Sequence, residues 1–456
     1  MASGKTAFIT AALGLLPSAP LGGVFRSAEI QLGFVLIFLV LFFPLLRRRK
    51  SLFLLYLSTL PYFYAIHVWQ GLDDRVGANL VFWIVVLSGL VIFQAGRFDP
   101  LEEDGRRITL LGRRPLLLVV ASMLAFRAYA AFGSAVYEGP MYMALGSRMI
   151  LADVSPYGSP HIYPSLGPAY GPVMFLCELP FAPLAGFARQ FLHSEALIPW
   201  QQIPSWASCV AQVHLSFLVF DALIMVAFAK LAGKYWLEAA AAWVLNPVTG
   251  LFMAVGASEI PQTGLLLWAF ALRSDAASSA VLTSLAVLTK GYSILLVPFW
   301  GLFREGRSRI RFLQYCIAII GTGLALWAAW TWLSRPPGTM SPSEMFFYAS
   351  GHNYGSSVYV PVYAALGARA TNILRLGGVF LLLAQAYRLA RKDGFRRNLC
   401  MATLLVLSAP ILYTPYLHPG HMYSFLIFIT AFGFFLTLGS RQGDGDVRGP
   451  ASGPDE

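Results

Sequence analysis

A series of long apolar runs constrains the fold of this chain more than any other feature. A transmembrane helix needs about 17–25 predominantly apolar residues to cross a bilayer. Between residues 260 and 303 there are shorter apolar segments, broken by Ser274-Asp275, Lys290-Gly291 and Pro298, which suit short, tilted or discontinuous helices. The pattern predicts an all-α polytopic membrane protein with about 11–13 transmembrane helices. Full-length runs lie at 29–46, 52–69, 78–96, 116–133, 206–229, 236–253, 312–333, 371–388, 398–416 and 421–438.

The composition agrees with this architecture. Charged residues make up 12% of the 456 residues, whereas soluble domains contain about 25%. The net charge is +11, but Lys and Arg lie in short clusters between apolar runs and form no aromatic-interleaved basic domain, so nucleic-acid binding is not predicted. The cysteines show no Cys-x-x-Cys spacing and no nearby His, which indicates neither a metal site nor a disulfide framework.

The distribution of Lys and Arg predicts the orientation in the membrane, because cytoplasmic loops carry an excess of these residues. Loops 47–50, 97–114, 230–234, 304–311 and 388–397 are basic and are predicted to be cytoplasmic. The alternate loops, 73–75, 134–205, 258–259, 334–370 and 416–421, hold few cations and face the periplasm or lumen. Residues 441–456 are Gly-rich and charged, which predicts a disordered cytoplasmic tail. The expected location is a bacterial cytoplasmic membrane, or the endoplasmic reticulum membrane in a eukaryote.

The large outer loop 134–205 carries an isolated acid, Glu138, directly after the fourth apolar run. A carboxylate at the membrane surface is a functional-site candidate. A general base must be ionised, within hydrogen-bond reach of its proton and partly shielded from water. Glu138 meets the sequence requirements for that role, and a solvated loop acid at a helix end is the alternative interpretation.

Further candidates follow Glu138 in the same loop. Arg148 and Asp153 lie at helical spacings from it, and pairing or snorkelling explains them as well as substrate contact does. Tyr157, His161 and Tyr163 form an aromatic segment that prolines stiffen. A proline at every fourth position predicts an extended or interfacial run followed by a short helix, because each proline removes a helical hydrogen bond. These prolines are Pro156, Pro160, Pro164, Pro168 and Pro172.

Other isolated charges lie among the apolar segments. Glu259 and Lys290 either pair with each other, or Lys290 binds an anionic phosphate as a point charge. Asp221 lies deep inside a predicted span, which favours a packing or hydrogen-bonding role. His418 and His421 flank a Pro-Gly pair with no third ligand, a weak pattern for metal.

With these residues in order, the chain resembles the GT-C class of multi-spanning glycosyltransferases. It is most similar to mannosyltransferases that use a polyprenyl-phosphate sugar, including the first mannosyltransferase of GPI-anchor assembly and its bacterial relatives. The resemblance covers roughly residues 116–440, and residues 1–115 would add membrane helices outside it. The elements that match in order are Glu138, Tyr142, Pro156-Tyr157, Tyr163-Pro164-Ser165, Asp221, Asn246-Pro247 followed by Glu259, Lys290-Gly291-Tyr292 and His421-Met422-Tyr423.

The resemblance implies an inverting hexosyltransferase of glycolipid biosynthesis, with mannose as the expected sugar. Glu138 would activate a hydroxyl of a lipid or glycan acceptor, and the polyprenyl phosphate would leave. Lys290 and Arg148 would bind that phosphate and offset its negative charge. Membrane lipids are the other expected partners. The other implied substrate-binding residues are Asp153, Tyr157, His161, Tyr163, Glu259, Tyr292, His418 and His421.

The family's acid is usually Asp, often in Asp-x-Asp, whereas this chain has Glu138-Gly139-Pro140. A divalent metal therefore stays open, and no other cofactor is predicted. Two other functions stay open, namely a secondary transporter or lipid flippase, whose broken helices also carry charges, and a non-catalytic scaffold subunit. The lack of an internal repeat and the long polar loop on one side argue against a transporter.

Overall fold

The structure is a computed structural model in which the described residues are mostly helical and contain no β-strand, as the all-α prediction required. The predicted runs 52–69, 78–96, 398–416 and 421–438 lie outside the described residues, as do Tyr157, His161, Tyr163, His418 and His421. The described residues are 28–48, 108–134, 136, 138–154, 156, 171–192, 206–246, 249–250, 253–254, 256, 259–272, 275–297, 309–334 and 360–390.

Long helices alternate with short ones along the chain, and three-residue or six-residue 3-10 turns extend several of them. The turns cover Leu179–Phe181, Arg189–Phe191, Gly233–Tyr235 and Gly291–Leu296. The helices are α1 (Ala28–Leu41), α2 (Phe43–Arg48), α3 (Arg113–Phe132), α4 (Glu138–Leu151), α5 (Pro172–Glu178), α6 (Ala185–Ala188), α7 (Trp206–Ala232), α8 (Trp236–Val244), α9 (Glu259–Ala271), α10 (Ala276–Thr289), α11 (Arg309–Ser334) and α12 (Val360–Ala390), which is broken at Gly367.

Three stretches of the described chain are long and apolar enough to cross a membrane, by length and composition: Arg113–Phe132, Trp206–Val244 and Arg369–Arg388. This supports a membrane protein, and the total of 11–13 helices stays a prediction. Trp206–Val244 contains both α7 and α8. The backbone turns at Gly233, whose φ of 58° suits glycine, and the rings of Phe228 and Trp243 then lie 6.4 Å apart. The two helices therefore form a hairpin, as the separate runs 206–229 and 236–253 predicted.

Helix α7 is the centre of the described bundle. It packs against α3, α4, α6, α8 and α9, and α10 joins α9 to α11. Its buried residues include Val213, Phe217 and Phe228. By contrast, α11 and α12 expose large apolar side chains such as Ile317 and Phe380, which is typical of a surface that meets lipid.

Two contacts show which helix ends lie together. Arg113 at the start of α3 donates from Nη2 to the carbonyl of Lys234, 3.2 Å away, in the turn between α7 and α8. At the opposite end, Nε2 of His214 in α7 lies 3.0 Å from the carbonyl of Ser134, just beyond α3. Arg113 of the basic loop 97–114 and Lys234 of the basic loop 230–234 thus share one end of the bundle, and Ser134, the first residue of the loop 134–205, lies at the other. This arrangement agrees with the alternation of Lys and Arg, while the side of the membrane stays a prediction.

Candidate active site

The start of α4, where Glu138 is the first residue, lies against a tight turn before α9. Gly256 in that turn has a φ of +69°, and a Cβ atom there would lie 3.2 Å from Cγ1 of Val136 and 3.4 Å from Cβ of Pro140. Only a residue without a side chain allows both this conformation and this close approach. Helix α9 starts at Glu259, three residues further on. The start of α4, with the backbone of Glu138, therefore lies beside the turn that leads into α9.

Glu259 and Lys290 form an ion pair at the same end of the bundle. Nζ of Lys290 donates to Oε1 of Glu259, with the ammonium side chain 11% exposed and the carboxylate side chain 3% exposed. Lys290 caps the end of α10, and its carbonyl accepts a hydrogen bond of 3.3 Å from Nε2 of Gln262. Of the two predicted alternatives, the pairing is present. A phosphate at Lys290 would therefore have to share or displace the Glu259 carboxylate.

The outer loop 134–205 meets this cluster at Gly171, the first described residue after position 156. The N–H of Gly171 donates to the carbonyl of Thr289, 3.0 Å away, one residue before Lys290. Helix α5 then begins at Pro172, a position where a missing N–H costs nothing. Tyr292 lies in the turn Gly291–Leu296, which directly follows Lys290, so its backbone lies close to the ion pair. The starts of α4, α5 and α9 and the end of α10 thus converge on one region.

Arg148 lies elsewhere, in a second polar cluster that joins α4, α5 and α7. Its Nε donates to Oε1 of Gln212 at 2.9 Å. Nε2 of Gln212 donates to Oγ of Ser147 at 2.7 Å and to the carbonyl of Glu178 at 3.0 Å. Gln212 therefore ties the ends of α4 and α5 to α7. Arg148 follows Glu138 by ten residues of helix, about 15 Å, so the structure does not bring these two predicted site residues together.

Glu178 was missed by the sequence reasoning. Its side chain is fully buried, Oε1 accepts a hydrogen bond from the Ser216 hydroxyl, and Oε2 has no hydrogen-bond partner in the described chain. Because burial penalises the charged form, the pKa of the Glu178 carboxyl lies above its usual range. Helix α5 belongs to the outer loop and not to a predicted span. An isolated acid within the apolar stretch 173–181 was the available signal.

Asp153 is exposed in the turn that ends α4. It has a φ of 58°, and the N–H of Val154 closes the turn on the carbonyl of Met149 at 2.8 Å. Aspartate is among the few residues that adopt this left-handed conformation readily. Asp153 therefore has a local role at the helix end, about 20 Å along α4 from Glu138.

Asp221 lies inside the bundle and forms an ion pair with Arg127. Nη2 of Arg127 lies 2.8 Å from Oδ1 of Asp221, which also accepts a bond of 2.9 Å from Nε1 of Trp243. Nη1 of Arg127 donates to the carbonyl of Trp243 and to Oγ1 of Thr249, both at 3.1 Å. The hydrogen-bonding role predicted for Asp221 is confirmed, and its partner Arg127 was missed.

Among the described residues, no group of three or more His, Cys, Asp or Glu side chains is arranged to hold a metal ion. In the comparisons with known proteins, no family model matches the sequence, and no curated protein matches it. The similarity to GT-C glycosyltransferases therefore stands on the ordered motifs alone.

Proposed function

We propose that this protein is an integral membrane glycosyltransferase. It transfers a hexose, with mannose the first candidate, from a polyprenyl-phosphate sugar to a lipid or glycan acceptor on the non-cytoplasmic face. One observation carries the proposal, namely that the start of α4 at Glu138 lies beside the turn leading to the Glu259–Lys290 pair. An acid and a cation at one end of an apolar bundle are the two charges that this reaction needs.

The chemistry assigns each charge a role. The acceptor hydroxyl gives its proton to the Glu138 carboxylate as its oxygen forms a bond to the anomeric carbon. The bond from that carbon to the phosphate oxygen breaks on the opposite face, its electrons stay on the polyprenyl phosphate, and the configuration inverts. Lys290 offsets the negative charge of the leaving phosphate, since an ammonium is an effective point charge for this group. Glu259 holds that ammonium in place before the donor arrives.

A lipid-linked donor suits the location proposed for the site. The long polar segments are all in the predicted non-cytoplasmic loops, where cytosolic sugar nucleotides are absent. A polyprenyl chain dissolves in the bilayer and brings its sugar to the membrane surface. The donor would then reach the converging helix ends from within the lipid phase.

The test is transfer by the purified protein from a panel of polyprenyl-phosphate sugars into membrane lipids, read by mass spectrometry. Glu138→Gln keeps the size of the side chain and removes its basicity, so transfer should fall at least 10²-fold, about the loss expected without a general base. Glu138→Asp shortens the side chain and should give an intermediate rate. Glu238→Gln, in α8 near the opposite end of the bundle, is the matched control and should transfer at the parental rate.

The result that counts against this role is a folded Glu138→Gln variant that transfers sugar at close to the parental rate. Glu138 would then be a bystander, and Glu259 would be the next candidate base.

The Arg127–Asp221 pair within the bundle is the observation that favours a transporter, because charges inside spans often mark substrate paths. A transporter or flippase would move the donor across a sealed membrane without cleaving it. The protein reconstituted in sealed vesicles separates the two functions, since the product of transfer is a glycosylated acceptor and the product of flipping is the intact donor in the other leaflet.

A further inference from the structure

The cluster between α4, α5 and α7 contains two buried polar atoms that the fold leaves unsatisfied. Oε2 of Glu178 and Nη2 of Arg148 are both buried, and neither has a hydrogen-bond partner in the described part of the chain. In native proteins about 90% or more of buried polar groups have a partner. Two such atoms of opposite chemical character in one network therefore require an explanation.

These two groups do not satisfy each other. The guanidinium of Arg148 bonds through Nε to Gln212, and Gln212 in turn bonds to the backbone carbonyl of Glu178. The carboxyl of Glu178 bonds to Ser216 through its other oxygen. Gln212 thus stands between the cation and the acid and is bonded to both residues.

Packing alone does not account for the acid at position 178. The Gln212 side chain already ties α4 and α5 to α7, and it uses the main chain of Glu178 for this. A buried carboxyl that lacks a full set of partners costs free energy that an apolar side chain of similar size would avoid. A buried acid that shares a polar network with a cation is a candidate for a binding site.

We propose that Arg148, Gln212 and Glu178 form a subsite for a neutral, hydroxyl-rich ligand, namely the sugar or polyol of the acceptor. This assignment rests on the function proposed above. A guanidinium only donates hydrogen bonds, whereas a carboxyl group accepts them in either protonation state. A hydroxyl group does both, so a single ligand carrying hydroxyls satisfies Nη2 of Arg148 and Oε2 of Glu178 together. Arg148 is the partly exposed member, so the ligand enters past its guanidinium.

The position of this subsite fits an acceptor. Helix α5 starts beside Thr289, next to Lys290, and ends at Glu178. Seven residues of helix at 1.5 Å each separate these points by about 10 Å. With the donor phosphate at Lys290 and the reacting hydroxyl of the acceptor at Glu138, this subsite would hold a more distant sugar or polyol unit of the acceptor.

The first test is kinetic and uses the transfer assay. Glu178→Leu keeps a similar volume and removes the hydrogen-bonding group, so the KM for the acceptor should rise roughly ten- to hundredfold, as for a buried polar group left without its partner. The KM for the polyprenyl-phosphate donor should change by less than about twofold, within the scatter of such measurements. Arg148→Met should have the same selective effect, and Glu238→Gln should have none. An unchanged acceptor KM in both folded variants overturns the subsite and leaves the transferase proposal standing.

The second test needs no transfer. The thermal unfolding of the purified protein is measured with methyl glycosides of several hexoses and, separately, with inorganic phosphate. At least one glycoside should raise the Tm of the parent and of Glu238→Gln in a saturable way, and this rise should be lost in Glu178→Leu and Arg148→Met. The subsite is wrong if no glycoside stabilises the parent, if phosphate alone does, or if both variants respond as the parent does. If glycoside binding depends on these residues but the protein has no transferase activity, the subsite is supported and the proposed function is wrong.

Discussion

The Arg127–Asp221 pair and the Glu259–Lys290 pair show how differently one kind of interaction is used in two regions of this molecule. Arg127 and Asp221 lie within α3 and α7, which are long and apolar enough to cross a membrane. Their side chains are 0% and 3% exposed, and Trp243 and Thr249 add hydrogen bonds around them. Glu259 and Lys290 lie at helix ends, where α9 begins and α10 stops. The Lys290 side chain is 11% exposed.

The difference teaches what each pair can do. In a medium of low dielectric constant, a charge that loses its partner is strongly destabilising, so we expect the enclosed pair to keep its partners and to connect α3, α7 and α8. A pair at helix ends, with one side partly exposed, can exchange a carboxylate for the phosphate of a substrate. We therefore propose a structural role for the first pair and a functional role for the second.

The largest expected effect comes from breaking the enclosed pair. Asp221→Leu leaves the Arg127 guanidinium buried without its counter-charge, which should lower the free energy of unfolding by about 3–5 kcal/mol. Thermal unfolding in detergent measures this loss. The control is the double variant Arg127→Met with Asp221→Leu, which removes both charges and should recover much of the stability. Near-parental stability of Asp221→Leu would show that the pair contributes little to the fold.

The next effect should fall on activity. Lys290→Met removes the proposed phosphate contact and should reduce donor use roughly ten- to hundredfold, since a hydrogen bond to a charged group contributes about 1.5–3 kcal/mol. Lys290→Arg keeps the charge and should retain part of the activity. The double variant Glu259→Gln with Lys290→Met leaves no unpaired carboxylate, so it should fold well and still use the donor poorly.

If that double variant regains donor use along with stability, Lys290 serves only to pair with Glu259. The contrast between the two pairs would then disappear, and both would be structural.

The smallest effect should come from the turn that seats α4. Gly256→Ala places a Cβ atom 3.0 Å from Cγ1 of Val213 in a residue with a φ of +69°. The left-handed conformation alone should cost about 1–2 kcal/mol, and the shift of the start of α4 should lower transfer. Gly186→Ala is the matched control, because nothing lies within 4 Å of its added Cβ. Equal unfolding temperatures for the two variants would contradict the close seating of α4 on this turn.

The sequence predicted the elements of this fold better than it predicted their partners. The helical runs, the hairpin of α7 and α8, the short helices of the outer loop and the possibility of a Glu259–Lys290 pair followed from local pattern. Arg127 was not identified as a candidate, because a single cation hardly changes the mean hydropathy of the run 116–133. Its partner Asp221 is 94 residues away in the chain, and such pairing depends on how the helices pack.

The same reason explains the polar cluster around Gln212. Gln212 lies 65 residues from Ser147 and 34 from Glu178, and no local pattern connects the three. Arg148 was identified as a candidate from its place on the loop, but its contact with Gln212 became visible only in the packed structure. Residue type and spacing therefore identify which groups are available, and tertiary packing decides which of them meet.

The central claim is that hexose transfer takes place where α4, α5, α9 and α10 converge, and that this end of the bundle faces away from the cytoplasm. The most direct measurement compares sealed membrane vesicles of the two orientations, each supplied on its outer surface with a polyprenyl-phosphate hexose and an acceptor that does not cross the membrane. The account predicts a glycosylated acceptor outside right-side-out vesicles and none outside inverted ones. Product formed only by inverted vesicles would contradict the predicted orientation, and absence of product from both orientations with every donor of the panel would contradict the transferase itself.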